Sequence, residues 1–565
     1  LTNSLLDPMV FCRPGLVNTN VRVTSAGGHK TLPYVVEQSA GGSRTMAWAN
    51  RGTAHRPVVM GRRGMVASAH SLASGAGLRI LQQGGDAVDA AVATAATLNV
   101  VEPYMSGIAG CGYMLVYRAK ERTLQVLDYM GPSATASDPS EFASHAEFSG
   151  SPKSPLVPAA CAGWLTALER YGKLDRSAVF APAIEQAEMG APITIKNAMF
   201  FKAAFEGGYL TEKTKSVFMP DNAVPAPGAV IAQPLLAKTL REVVAGGQET
   251  FYRGELGKRI VAALHERGGY LSDDDLASYR PTWQEPISTT YRGFEIACPP
   301  LPCSGVQFLE TLNLLSRFDL AASGQNSAET IHLMAEAMKL AIADRIAYTT
   351  RGDIAGEKLL ATDYIAERSA LIDAVTAARS EGERFGTARP AGTITPGAEN
   401  RLLKECTTHF DVIDAEGNAV SITQSLGNAF GSGVMAGDTG LVLNNLAYWF
   451  DLDPNSPNVL APRKQIEMCM SPAAIFRDGR LFMLIGTPGS FGILQTTPQM
   501  ISNVLDHGYS IQAAIEAPRF RTYEDTVLEV EARVPEAIRA ALAERGHQIR
   551  LIDEWSPLVG GGQAI

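Results

Sequence analysis

No two cysteines in this chain stand at CxxC spacing, and the sequence also lacks like-charge blocks, glycine-rich phosphate signatures and apolar runs of membrane length. Each absence removes a class of function. The seven cysteines, Cys12, Cys111, Cys161, Cys298, Cys303, Cys406 and Cys469, are an odd number with no metal-ligand spacing, so mostly free, buried thiols are expected and a structural zinc is not. Acidic residues outnumber basic ones, 58 against 49, and the basic residues come singly or in short groups such as GRRG at 61–64. That distribution offers no stripe for a phosphate backbone, which argues against nucleic acid as a partner. The longest uncharged apolar run, Ala90 to Val101, is short and carries threonines and an asparagine, so it reads as a buried helix and not a membrane span. Gly84-Gly85 and IAGCG at 108–112 form neither GxGxxG nor GxxxxGK and are expected as turns and close-packed backbone. The opening LTNSLLDPMVFCRPG lacks a basic start followed by an apolar core; with no signal peptide visible, the expected compartment is cytoplasm or periplasm.

What is present is a globular composition, 46% hydrophobic over 565 residues, enough for one large core or two to three ordinary ones. Residues 1–57 are rich in Gly, Ser, Thr and Asn with weak periodicity and read as an arm or leader. From Val58 the pattern tightens into a helix stopped by Gly84-Gly85 and a second helix that Asp86 caps. The stretch from 158 to 380 is mostly helical, interrupted by YRGFEIACPPLPCSG, a strand followed by a proline-rich loop. Residues 379–405 have linker composition, rich in Gly, Pro and charge. After them the texture switches to strands, HFDVIDAEGN, AVSITQS, GLVLNNL and AAIFRDGRLFMLIG, with AEGN and RDGR as hairpin turns.

A linker running into a strand that opens CTTH, residues 406–409, has two readings. One is a plain hairpin in which threonine favours the strand for side-chain reasons. The other is the precursor of an N-terminal-nucleophile hydrolase, in which the Cys406-Thr407 bond is cut. Once residue 407 is a terminus, its α-amine, with a reference pKa of roughly 7.7 to 8.0, can take the proton from Thr407 Oγ near neutrality. Before cleavage the same hydroxyl can attack the Cys406 carbonyl. His409 is expected as a strand residue with a satisfied ring, since the amine already fills the role of base.

Thirteen segments in order, among them GGDAVDAAVATAATLNVVEP, LVPAACAGWLTALERYGKL, the CPPLPCSG loop, TTHFDVIDAEGNAVSITQS, LVLNN, MSPAAIF and GTPGS, make the chain from about Val58 to Ile565 resemble the γ-glutamyltransferase family. The resemblance implies an α+β, four-layer αββα sandwich of the N-terminal-nucleophile hydrolases. It implies a large subunit (58–406, with the flexible linker 379–406) and a small catalytic subunit (407–565) cut from one precursor between Cys406 and Thr407. It further implies threonine catalysis with no metal and no organic cofactor. Ser425 matches the residue that orients the nucleophile. Gly489 and Ser490 match the pair whose backbone amides form the oxyanion hole, where each donor is worth about 3 to 4 kcal/mol; the second family glycine is serine here. Family members also usually continue through a further strand and a closing tail beyond LVGGGQAI.

The departures from the family that bear on substrate choice fall in the acyl pocket. The position of the arginine that holds the substrate α-carboxylate is Met130, and an asparagine that contacts the glutamyl group becomes Gly427. Leu446 and Trp449 replace the residues that hold the α-amine, and Met468 and Cys469 replace paired serines. A buried ammonium and carboxylate without partners would cost several kcal/mol. The expected activity is therefore an autoprocessing amidohydrolase or acyltransferase acting on a small-molecule amide whose acyl group is less polar than γ-glutamyl. A true γ-glutamyltransferase or glutathione hydrolase is the alternative, and an inactive binding member of the family is a third reading.

Overall fold

The computed structural model describes residues 52–350, 355–378, 406–523 and 525–565. The expected arm up to residue 51, Cys12 and the linker 379–405 lie outside the described residues. In chain order the described strands are β1 (Gly64–Ser68), β2 (Cys111–Arg118), β3 (Thr123–Tyr129), β4 (Ala191–Pro192), β5 (Val230–Ile231), β6 (Thr282–Gln284), β7 (Ile287–Tyr291), β8 (Phe294–Cys298), β9 (Cys406–Asp414), β10 (Ala419–Gly427), β11 (Ala473–Arg477), β12 (Arg480–Gly486), β13 (Phe520–Thr522), β14 (Val527–Glu531), β15 (Gln548–Ile552) and β16 (Gln563–Ala564).

Helix Ala87–Val101 shows how the sequence builds the first layer. Asp86 caps it by accepting from the Val88 and Asp89 N–H groups, while the Asp89 carboxylate accepts from the Asp86 N–H, a reciprocal capping box. Its alanines leave every residue of the helix buried. Small side chains also let the preceding helix, Ser71–Gln82, approach so closely that a Cβ on Gly77 would lie 2.4 Å from Thr94 Oγ1. Helix Ala87–Val101 then lies on β9 and β10.

Those strands sit in the middle of a six-stranded sheet ordered β1-β9-β10-β2-β3-β6, all antiparallel. A five-stranded sheet, β16-β12-β11-β8-β7, faces it, with β12 against β9 and β10. Helices Val306–Leu315 and Ile493–Leu505 cover its other side. Helix, sheet, sheet and helix form the α+β, four-layer αββα sandwich expected from the sequence. Both sheets mix strands from before and after residue 406, so the proposed subunit boundary does not separate two domains in space.

Both predicted hairpin turns are present. At AEGN, Asp414 Oδ1 accepts from the Glu416 and Asn418 N–H groups, and Gly417 takes a positive φ of 83°. At RDGR, Asp478 and Gly479 both have positive φ, as a two-residue turn between right-twisted strands requires. Two details differ from expectation. YRGFEIAC is not one strand: Arg292 and Gly293 turn the chain and split it between β7 and β8. GLVLNNL is no ladder strand either, and makes one isolated bridge, Met435 to Val442. Its asparagines are spent on loops: Asn444 Nδ2 donates to the Ala109 and Leu156 carbonyls, and Asn445 Oδ1 accepts from the Asn428 N–H.

The sheets approach closely at Gly486, the end of β12, where a Cβ would lie 2.4 Å from the His409 ring. That ring is fixed by its own hydrogen bonds and has nowhere to go. Gly486→Ala should destabilise the protein by roughly 1–3 kcal/mol, the usual cost of overpacking. Chemical denaturation midpoints check this, and an unchanged midpoint would contradict the close packing.

Candidate active site

Thr407 is the second residue of β9 and is buried. It pairs directly with Ser425 on β10. Beyond that pair the register slips, so that Cys406 faces Gly427 and Leu426 is bulged out. The slip brings the Ser425 side chain onto the backbone: its Oγ donates to the Cys406 carbonyl oxygen and accepts from the Gly427 N–H at 2.8 Å. A hydroxyl aimed at a peptide carbonyl polarises it toward attack, and the neighbouring hydroxyl belongs to Thr407. Gly427 has φ of 100°, and the Asn445 carboxamide fills the place of a Cβ, 2.2 Å away. Its contribution is therefore an N–H that orients Ser425, with no room for a side chain.

His409 matches the expectation of a satisfied ring. Nδ1 lies 2.9 Å from Thr423 Oγ1 and Nε2 3.2 Å from Asp411 Oδ2, all buried.

The GTPGS segment starts at Gly486, beside His409, and leads into helix Ile493–Leu505 through a short 3-10 turn, Ser490–Gly492. Gly489 takes φ of 129° and Ser490 φ of 58°. Serine tolerates this left-handed conformation at a cost of about 1–2 kcal/mol. Among the described residues, neither the Gly489 nor the Ser490 N–H donates to a protein acceptor, so both remain available as donors.

The other positions singled out from the sequence are buried or half-buried, and a chain of contacts runs from Trp449 to Met468. Trp449 packs edge-on against Phe491, the residue after Ser490, with centroids 5.1 Å apart. Arg345 lies over the same Phe491 ring, its Cζ 4.0 Å from the centroid, and pairs with Glu467 at 2.5 Å. Glu467 also accepts from Ser304 Oγ at 2.8 Å. The next residue, Met468, bridges to Cys303 and accepts from the Ser304 N–H at 2.9 Å; Met468, Cys469, Leu446 and Met130 are all almost fully buried. Asp128 joins two segments: Oδ1 accepts from the Met130 N–H at 2.8 Å and Oδ2 from Gln465 Nε2 at 2.6 Å.

Sequence reasoning missed Asp128, Gln465 and the Arg345–Glu467 pair. Only the placement of Asp128 two residues before Met130 hinted at its role. Spacing also missed a group distant in sequence, His332, Glu336 and His547, whose ligand atoms lie within 4.8 Å of one another. Those atoms are engaged otherwise: His332 Nδ1 is 2.9 Å from His547 Nε2, and Glu336 pairs with Lys339 Nζ at 2.6 Å. A buried ammonium in that position opposes a metal cation. Burial pushes the Cys111 and Cys303 thiols up to about 12, so both are inert at neutral pH.

A family model described as gamma-glutamyltranspeptidase matches residues 73–565. The chain belongs to the gamma-glutamyltranspeptidase family. The glutathione hydrolase-like YwrD proenzyme of Bacillus subtilis (strain 168) is 34% identical over 517 residues, covering 90% of this chain and 95% of that protein. The acylase ACY 1 proenzyme of Pseudomonas sp. (strain V22) is 36% identical over 528 residues, covering 90% of each. Among solved structures, the cephalosporin acylase of Bacillus halodurans superimposes with a TM-score of 0.80 at 32% identity, covering 91% of this chain and 96% of that one. The family member described here is accordingly an enzyme, a γ-glutamyltransferase-like amidohydrolase or acyltransferase of the N-terminal-nucleophile fold. No described helix is long and apolar enough to cross a membrane.

Burial pushes the Asp128 carboxyl up from 3.8 to about 6, against the lowering effect of its three donors, Met130, Gln465 and Gln284. The folded protein thus binds this proton more tightly than the unfolded chain. The residue's contribution to stability is present below about pH 4 and lost as pH rises to about 6, on the order of 3 kcal/mol in all. Asp128→Asn cannot ionise, so its denaturation midpoint should gain on that of the natural protein between pH 4.5 and pH 7.5. Midpoints that move in parallel would contradict this assignment.

Proposed function

We propose that the protein cuts itself between Cys406 and Thr407 and then hydrolyses or transfers the acyl part of an amide through an ester on Thr407, the acyl group being less polar than γ-glutamyl. The observation that carries the reading is the hydrogen bond from Ser425 Oγ to the Cys406 carbonyl, directly opposite Thr407 in the ladder. In maturation, Thr407 Oγ attacks that carbonyl, the Cys406–Thr407 C–N bond breaks as the nitrogen takes the hydroxyl proton, and water opens the resulting ester. The large subunit then runs to Cys406 and the small subunit begins at Thr407.

In turnover the freed α-amine takes the Oγ proton as Thr407 attacks the substrate carbonyl, then passes it to the leaving nitrogen. Gly489 and Ser490 N–H groups hold the oxyanion. No step needs a metal or an organic cofactor. Met130, Leu446, Trp449, Met468 and Cys469 supply an apolar, sulfur-rich and aromatic acyl site, and Gly427 holds Ser425 in place. Arg345, the cation over the Phe491 ring, is already neutralised by Glu467. Such a site discriminates by size and by the cost of stripping water from charge. The acylases among the relatives favour the same reading.

Thr407→Ala should remain one chain, whereas the natural protein should yield pieces of 406 and, from 565 minus 406, 159 residues. Ser425→Ala should slow the appearance of these pieces by roughly 10- to 100-fold, the loss of one charge-stabilising hydrogen bond. Denaturing electrophoresis with N-terminal sequencing reads both, and a fully active preparation of intact chain would overturn self-cleavage.

On processed enzyme, kcat/KM for uncharged aliphatic or aromatic acyl p-nitroanilides should exceed that for γ-glutamyl-p-nitroanilide by at least about tenfold, one unmatched charge being worth more than 1.4 kcal/mol. Met130→Arg combined with Trp449→Asp should move the ratio toward the glutamyl compound. A natural enzyme that prefers the glutamyl donor would restore a glutathione-type activity.

A further inference from the structure

The two amides proposed to hold the oxyanion stand on a turn that needs help to keep its shape. Gly489 and Ser490 take φ of 129° and 58°, the second a left-handed conformation that a side chain disfavours. An N–H kept free for the oxyanion cannot also be spent on holding the turn. Two carbonyls supply part of the restraint: that of Pro488 accepts from Thr487 Oγ1 at 2.9 Å, and that of Gly489 from the Gly492 N–H at 3.0 Å. A further restraint acts on the side chain that follows the donor pair. The Phe491 ring is met edge-on by Trp449, from the 3-10 turn Leu446–Trp449, and is covered on its face by the Arg345 guanidinium, from helix Ala328–Tyr348.

Arg345 is itself held in place for this contact. It is buried, and its Nη1 donates to Glu467 Oε1, which also accepts from Ser304 Oγ at 2.8 Å. The Glu467 N–H donates in turn to Asn458 Oδ1 at 3.3 Å. A guanidinium tied at one edge keeps its flat face for the ring, whose negative face attracts it. Helix Ala328–Tyr348 precedes the proposed cut and Phe491 follows it, so the contact reaches from the large subunit to the small one. We infer that Arg345 is a positioning residue for the reaction: through the Phe491 ring it fixes the Ser490 N–H where the oxyanion forms. This rests on the Thr407 reading proposed above and adds to it a residue of the large subunit. Because the oxyanion exists only on the way through the transition state, a displaced donor costs rate and leaves substrate binding nearly as it was.

The test uses processed enzyme, its cut confirmed by N-terminal sequencing, with an uncharged acyl p-nitroanilide that it turns over. The probe is a boronic acid carrying the same acyl side chain, which adds to Thr407 Oγ as a tetrahedral anion while the α-amine takes the proton. Arg345→Met and Phe491→Leu should each lower kcat by about 10- to 100-fold, no more than the loss of a whole oxyanion donor, with KM within about threefold. Each should weaken the boronic acid by the same factor as kcat/KM. The double variant should fall no more than about threefold below the slower single one, since both act through one ring. Arg345→Met combined with Glu467→Met, which leaves no buried carboxylate bare, replaces Arg345→Met should the latter fail to fold. A rise in KM at unchanged kcat, losses that multiply in the double variant, or a boronic acid bound as tightly as by the natural enzyme would overturn the role of Arg345 and leave the Thr407 reading standing. A small subunit of the natural enzyme that carries no added acyl mass after acid quenching during turnover would overturn both.

Discussion

The antiparallel pairing of β9 with β10 is the constraint on which the rest of the site depends. Both strands are interior to the six-stranded sheet, so their register is held from two sides and cannot slip without turning every buried side chain to the wrong face. That register sets Thr407 against Ser425. The single irregularity, the bulge at Leu426, falls one residue further on and turns Ser425 from a strand residue into a donor aimed at a backbone carbonyl. Close contacts at Gly427 and Gly486 then fix the neighbouring segments against this pair.

Around it, two buried charged groups are satisfied in different ways. Arg345 and Glu467 satisfy each other beside Phe491, and Asp128 is surrounded by neutral donors. Tyr113 and Tyr279 also face Asp128. A carboxyl in that setting gains hydrogen bonds but no counter-charge, which is why burial dominates its titration. Above about pH 6 the Asp128 carboxylate is therefore a buried charge held by neutral donors alone, next to Met130 of the proposed acyl site.

The fold was legible in the sequence because its signals were local or ordered: the Asp86 capping box, the AEGN and RDGR turns, and the order of the family segments along the chain. The split of YRGFEIAC into two strands was missed because Arg292 carries no turn signature, although Gly293 does. GLVLNNL looked like a strand by composition, yet its asparagines bond to loops far away in sequence, and no local pattern encodes such partners. Of the site, Thr407, Ser425, Gly489 and Ser490 were readable as motif positions, and the satisfied ring of His409 was anticipated. Asp128 with Gln465, and Arg345 with Glu467, were not readable, since each pair joins residues more than a hundred positions apart. Gly427 was taken for a pocket residue, but the space where its side chain would go is occupied by Asn445.

The interleaving of strands from before and after residue 406 has a consequence for how the protein ages. Once the proposed cut is made, neither piece owns a complete sheet, and the two remain associated through ladders that formed while they were one chain. Refolding after denaturation would then be a bimolecular search between two partners with unpaired strand edges, where aggregation competes with reassembly. The mature protein would owe its persistence to the height of its unfolding barrier, and an excursion over that barrier would be final for the molecule that made it.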